Sequence, residues 1–116
     1  MKITIVIPTY NEKLNILPLV NKINKLLKKE FEIVVVDDNS PDKTAEEVKI
    51  RFRNKKQVKV FVRKKERGLG SAILFGIKKA KGEIIIGMDA DFNHPPKLIP
   101  KLIEDVKNSD LVVASR

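Results

Sequence analysis

Apolar and polar positions along this chain alternate between two periods. Ile3 to Ile7 reads as a strand, and Leu14, Leu17, Val20, Ile23 and Leu27 then recur at helical spacing, with Asn21, Lys22, Lys25 and Lys28 on the other side. Glu32 to Val36 is a second strand, apolar without a break after Glu32, as expected of a strand covered on both faces. Ala45, Val48 and Phe52 mark a second helix, whose start is signalled by the turn and cap cluster Ser40-Pro41-Asp42. Val58 to Val62 is a third strand, and Lys59 inside it suits a sheet edge. Ser71 to Ala80 is a third helix, entered from Gly68-Leu69-Gly70 and left at Gly82. Glu83 to Met88 is a fourth strand, Pro96 to Lys107 a fourth helix with Pro near its first turn, and Leu111 to Ala114 a fifth strand.

Strands that alternate with helices through short connections imply parallel pairing with right-handed crossovers. The expected fold is α/β: a doubly wound, mostly parallel sheet with helices on both faces, Rossmann-like, with five strands and four helices. Residues 1–116 read as a single domain. In such sheets ligands bind beyond the carboxyl ends of the strands, where the strand order reverses. A motif that matters should therefore lie just after a strand.

Composition narrows the chemistry. The 116 residues are enough to bury about two-thirds of the unfolded surface. There is no Cys, so disulfides, thiolate metal sites and cysteine nucleophiles are excluded. No apolar run approaches the ~20 residues of a membrane span, and no signal-peptide segment follows Met1-Lys2. The expectation is a cytoplasmic protein, peripheral at the inner membrane face at most. The net charge of +9 is local: Lys49 to Arg67 holds ten basic residues and one acid, while the rest of the chain balances. That segment reads either as a solvated face or as an attraction for an anion. With only Phe52 and Phe61 as aromatics and no recognisable motif, it does not read as a nucleic-acid surface.

Three polar motifs follow strands. Pro8-Thr9-Tyr10-Asn11-Glu12 follows the first: Pro8 is expected to end the ladder, Tyr10 to offer a ring for stacking, and Glu12 to accept from ribose hydroxyls. Asp37-Asp38-Asn39-Ser40-Pro41-Asp42 follows the second. An Asx turn with a helix cap explains Ser40 and Asp42, but two adjacent carboxylates call for a cation or a donor-rich ligand. Asp89-Ala90-Asp91-Phe92-Asn93-His94 follows the fourth, and alternate residues of an extended chain let Asp89, Asp91 and Asn93 project together. Two carboxylates and an amide oxygen are hard ligands suited to Mg²⁺ or Mn²⁺. His94 reads as a side chain packed beside Pro95 and Pro96, and no serine has the partners of a hydrolase triad. Gly68-Leu69-Gly70-Ser71-Ala72-Ile73 fails as a dinucleotide fingerprint: it follows the third strand, and Ile73 stands where Gly or Ala belongs. In a doubly wound sheet the first, second and fourth strand ends meet at one crevice.

At these residues the chain resembles glycosyltransferase family 2, with the GT-A nucleotide-binding fold, and most closely its dolichyl- or polyprenyl-phosphate mannosyltransferase branch. The likeness runs from Val6-Ile7-Pro8-Thr9-Tyr10-Asn11-Glu12 through Val36-Asp37-Asp38 and Gly68-Leu69-Gly70-Ser71-Ala72 to Asp89-Ala90-Asp91, Asn93-His94-Pro95-Pro96 and Ala114-Ser115-Arg116. The resemblance implies that Pro8, Tyr10, Glu12, Val36 and Asp38 hold the base and ribose of a GDP- or UDP-sugar. It places Asp89 and Ala90 along ribose and diphosphate, Arg116 near the phosphates, and the metal on Asp91 with Asn93 and Asp89. Asp89 and Asp91 are the expected catalytic residues. The implied reaction is inverting transfer of mannose or glucose to a polyprenyl or dolichyl phosphate.

Family members continue past the Ser-Arg motif, so the chain is expected to match only the donor-binding half. In the family a further strand lies between the last two described above. Here those two would close up, or an edge would pair with another copy or a partner chain. A non-catalytic nucleotide-sugar-binding module is the competing reading. A response-regulator receiver fits poorly, because its acidic pair would follow the first strand. On the basic segment, Arg63, Lys64, Lys65 and Arg67 fall on the crevice side, where they are expected to meet phosphate or an anionic membrane surface.

Overall fold

The alternating pattern closes into one sheet. The protein is described by a computed structural model over residues 2–27, 30–65, 67–88, 90 and 111–113. The strands are β1 (Ile3–Thr9), β2 (Phe31–Asp37), β3 (Val58–Val62), β4 (Ile84–Gly87) and β5 (Leu111–Val113). The helices are α1 (Lys13–Leu26), α2 (Thr44–Arg51) and α3 (Leu69–Lys79). Strand order is β3-β2-β1-β4-β5, every neighbouring pair parallel. The order therefore reverses at β1, with β2 on one side and β4 on the other. Four strands of four to seven residues carry the core, and the three-residue β5 lies directly against β4, with Ile85 opposite Leu111. Three helices occur among the described residues rather than the four expected. The expected fourth, Pro96 to Lys107, lies outside them.

Strand periodicity separates the two layers of core. Ile5, Ile7, Ile33 and Val35 face α1 and α2, where they pack with Ile16, Leu19 and Val48. Val6, Val34 and Val36 face α3, where they meet Ala72 and Phe75. Each fully buried aliphatic side chain contributes about 1.5–3 kcal/mol. The contact between α3 and β1 depends on Gly76: a Cβ there would lie 2.3 Å from Val6 Cγ1.

Two boundaries differ by two residues from the sequence expectation, each for a physical reason. Pro8 ends one ladder of β1 and not the other: pairing with β4 stops at Val6 opposite Gly87, while pairing with β2 continues to Thr9, with Pro8 opposite Val36 and Thr9 opposite Asp37. Main-chain groups in a parallel strand turn alternately to its two neighbours. Ile3 donates toward the β2 side and Val6 accepts from Met88 on the β4 side. The N of Pro8 therefore faces β4, whose pairing with β1 has already ended at Gly87. The missing N–H therefore falls on the β4 side and leaves the pairing with β2 intact. Helix α3 starts at Leu69, two residues before the expected Ser71, because Gly68 takes φ 126° and its carbonyl accepts the first helical bond, from Ala72 N at 3.0 Å. The edge position expected from Lys59 is correct, since β3 is terminal in the sheet.

Candidate functional site

Because all strands are parallel, the ends of β1, β2 and β3 open on one side of the molecule. The acidic pair at the end of β2 forms the floor there. Asp37 is 1% exposed. Its carboxylate accepts from Thr9 Oγ1 at 2.7 Å, Ser40 N at 2.9 Å and Ser40 Oγ at 2.6 Å. Asp38 is also buried, and it turns the other way. Arg63 Nε donates to its Oδ1 at 2.8 Å, Arg63 Nη2 to its Oδ2 at 3.0 Å, and Gly68 N to Oδ2 at 3.1 Å. The cation that the sequence demanded for this pair is thus supplied by the chain itself. Two-pronged pairing of a guanidinium with a carboxylate is among the stronger polar contacts.

This overturns one expectation. Arg63 is not an exposed residue waiting for phosphate or membrane; it is 7% exposed, and it also bonds Ser71 Oγ at 3.0 Å and Gly68 O at 3.2 Å. Lys64, Lys65 and Arg67 are exposed. Strand register would have revealed the role of Arg63. Asp37 lies opposite Val62, so the next residues, Asp38 and Arg63, meet at the strand ends.

The turn after β1 is locked to the loop after β2. Asn11 N donates to Ser40 Oγ at 2.8 Å, Glu12 N to Thr44 Oγ1 at 3.2 Å, and Lys13 N to Asp42 Oδ2 at 3.2 Å. Asp42 also accepts from Thr44 N at 3.0 Å and from the Thr44 hydroxyl, a side-chain turn just before α2, whose N-cap position is Lys43. Burial alone would raise the Asp42 carboxyl; hydrogen bonds from Thr44 and Lys13, with the Lys13 charge, outweigh it and hold it below the ordinary value.

The other expected ligand residues divide clearly. Pro8 is buried at the end of β1, and Val36 is fully buried among the α3-facing core, within the β1–β2 ladder. Ala90 is buried in the other core layer with Met88. Met88 N donates to Val6 O at 3.0 Å, which fixes the approach to the Asp-x-Asp motif beside β1. Glu12 is half-buried and accepts from Asn15 Nδ2 at 3.1 Å. Tyr10 stands at the rim, 40% exposed. The Arg67 guanidinium carbon lies 4.6 Å from its ring centroid, and Arg67 Nη2 donates to its hydroxyl at 3.1 Å. That contact was not foreseen; Tyr10 and Arg67 are 57 positions apart. Asp89, Asp91, Asn93, His94 and Arg116 lie outside the described residues.

Among the described residues no three His, Asp or Glu side chains gather as a metal site. Asp37 and Asp38 are both engaged by protein donors. Oxygen donors of the kind expected at Asp89, Asp91 and Asn93 would suit Mg²⁺ or Mn²⁺. No helix among the described residues is long and apolar enough to cross a membrane.

With the crevice placed, comparison with known proteins is decisive. Residues 4–116 match the glycosyl transferase family 2 model. The chain belongs to glycosyltransferase family 2. Among its relatives within the family is a dolichol-phosphate mannosyltransferase of Pyrococcus furiosus, 49% identical over 118 residues, covering 100% of this chain and 33% of that protein. Another is the dolichol-phosphate mannosyltransferase of Saccharomyces cerevisiae, 39% identical over 97% of this chain and 44% of that protein. This family 2 chain thus spans a third to under half the length of these relatives. Its fold matches Pyrobaculum calidifontis mannosyltransferase PcManGT, solved with GDP-Man and Mn²⁺, at a TM-score of 0.73 and 28% identity over 83% of this chain and 29% of that one. It also matches S. aureus TarS 1–349 with UDP-GlcNAc, at a TM-score of 0.77 and 34% identity over 90% of this chain and 30% of that one. The α/β fold with a parallel sheet is therefore the GT-A type that the resemblance implied.

Proposed function

We propose that residues 1–116 form the donor-binding domain of a metal-dependent glycosyltransferase. It takes mannose or glucose from a GDP- or UDP-sugar and transfers it, with inversion, to a polyprenyl or dolichyl phosphate. The observation that carries this reading is the strand order β2-β1-β4, which brings the polar motif after β1 and the acidic pair after β2 together at the switch point. The named ligands of the relatives and structural neighbours support it.

In this reading Tyr10 and Glu12 line the rim, and Asp38, held by Arg63, fixes the floor beside base and ribose. Asp91, with Asp89 and Asn93, would hold Mg²⁺ or Mn²⁺, which supplies charge neutralisation for the diphosphate leaving group. Arg116 adds a positive charge near those phosphates. A lipid phosphate acceptor is already ionised near neutral pH and needs no general base. The commitment of both Asp37 and Asp38 to protein donors agrees with that. Exposed Lys64 and Lys65 are the residues we assign to an anionic inner-membrane surface, with Arg63 withdrawn from that role.

Titration calorimetry with GDP, UDP and their sugar conjugates, with and without Mn²⁺, tests the reading. Metal-dependent binding that Asp91→Ala abolishes is expected. Binding indifferent to metal and to that substitution would overturn it. Transfer of radiolabelled sugar to a polyprenyl phosphate tests the reaction. Intact donor binding without transfer would leave a binding module.

A further inference from the structure

The Arg67–Tyr10 contact spans the crevice. Tyr10 lies just beyond β1 and Arg67 just beyond β3, with β2 between them in the sheet. The pair therefore joins the loops after β1 and β3 across the end of β2. Its position is fixed from below. Gly68, the next residue, bonds Asp38 through its N–H and Arg63 through its carbonyl, and its φ of 126° turns the chain into α3. Among the described residues, Tyr10 is the one partner found for the Arg67 guanidinium. A flat cation thus covers the ring expected to stack on a nucleobase.

We propose that Arg67 is a donor-binding residue that exchanges places with the base on the Tyr10 ring, and that the released guanidinium then binds the diphosphate. The proposal rests on the donor-site reading above and adds a residue to it. The exchange is favourable, because base–aromatic stacking outweighs an exposed cation–π contact. It is also directional. A nucleoside must lift Arg67 off the ring with nothing to offer in return, whereas a nucleoside diphosphate gives the guanidinium a charged partner. Arg67 therefore favours diphosphates over nucleosides at a site whose aromatic surface alone would hold both.

The test is titration of guanosine, uridine, GDP and UDP, with Mn²⁺, into the wild-type chain, Arg67→Ala and Arg67→Lys. Arg67 is exposed, so neither substitution removes core packing. In Arg67→Ala, nucleoside affinity should rise roughly two- to fivefold as the competing cation–π contact is lost. Diphosphate affinity should fall roughly three- to tenfold as a charged hydrogen bond is lost. Arg67→Lys, which keeps charge but not the flat fork, should retain more diphosphate affinity than Arg67→Ala. Tyr10 is the single tyrosine, so its ring resonances report the exchange without overlap. They should shift on substitution of Arg67 and again on nucleoside binding. Equal losses for nucleoside and diphosphate would make Arg67 a passive wall of the base pocket and overturn the proposal. Unchanged affinities in Arg67→Ala, with normal GDP or UDP binding by wild type, would overturn it and leave the donor site standing. Failure of wild type to bind either diphosphate would remove the donor site and this proposal together.

Discussion

Two of the buried acids, Glu32 and Asp38, sit at opposite ends of β2, and each pairs with a base from β3 or from the residue just after it. Glu32, at the amino end, is 1% exposed and meets Lys59 Nζ at 2.7 Å. Asp38, just past the carboxyl end, meets Arg63. The chemistry is alike and the consequences differ. Glu32 also accepts from Thr4 Oγ1 at 2.6 Å and Lys81 N at 2.5 Å, so it clamps β1, β2, β3 and the loop before β4. Nothing about that end needs to move. Asp38 instead holds Gly68, and through it the loop that carries Arg67 to Tyr10. A lysine, a point charge on a flexible stem, suffices for the clamp and stays partly exposed, while the fork of Arg63 fixes an orientation. One strand pair thus supplies a fastening at one pole and a support for the candidate site at the other.

The strongest way to break this comparison is Arg63→Met. It leaves Asp38 buried without its cation and should cost about 3–5 kcal/mol in urea unfolding. Nucleotide binding should weaken as well, because the Gly68 loop loses its anchor. A smaller loss, about 1–2 kcal/mol, is expected for Lys59→Met, because Glu32 keeps the Thr4 and Lys81 donors and Lys59 is 31% exposed. Binding should be unaffected in that variant. Equal costs for the two substitutions would erase the distinction.

Acid sharpens it further. Burial would raise the Glu32 carboxyl, but hydrogen bonds from Lys59, Thr4 and Lys81, with the Lys59 charge, bring it down from 4.5 to about 2. A folded-state value below the unfolded one means that the unfolded chain takes up the proton first. The stabilisation is complete above about pH 4.5 and fades as pH falls through about 2. After screening at the half-open lysine it is worth on the order of 2 kcal/mol. Urea midpoints measured between pH 5 and pH 2 should fall less steeply in Glu32→Gln than in wild type. Asp42→Ala should cost about 1 kcal/mol, the usual net worth of a hydrogen bond, with loosening of the start of both α1 and α2. Lys64→Ala with Lys65→Ala should leave stability within about 0.5 kcal/mol and reduce only binding to anionic vesicles.

Much of this was readable from residue order. The strand–helix alternation, the reversal at β1 and the edge position of β3 all follow from periodicity and from Lys59. Periodicity could not say that Lys59 is there for Glu32, because a pairing across strands needs the register. Charge counting also misled. It grouped Arg63 with Lys64, Lys65 and Arg67, although one residue's difference in position separates a buried fork from exposed ammonium groups. Pro8 deceived for a related reason, since its effect depends on which neighbour its nitrogen faces. The Tyr10–Arg67 contact joins distant segments and had no local signal.

The locked turn at the start of α1 has one more consequence. The amino end of the helix after the first strand is where many nucleotide-binding sheets seat phosphate, using free N–H groups and the helix dipole. Here three successive N–H groups, those of Asn11, Glu12 and Lys13, are already taken by Ser40, Thr44 and Asp42. One of those acceptors is a carboxylate, which adds negative charge where an anion would approach. The usual phosphate seat has been filled from within. In the function proposed above, a diphosphate arriving at this end of the sheet would draw its counter-charge from a side-chain cation or a metal, because this turn has no N–H of those three to give.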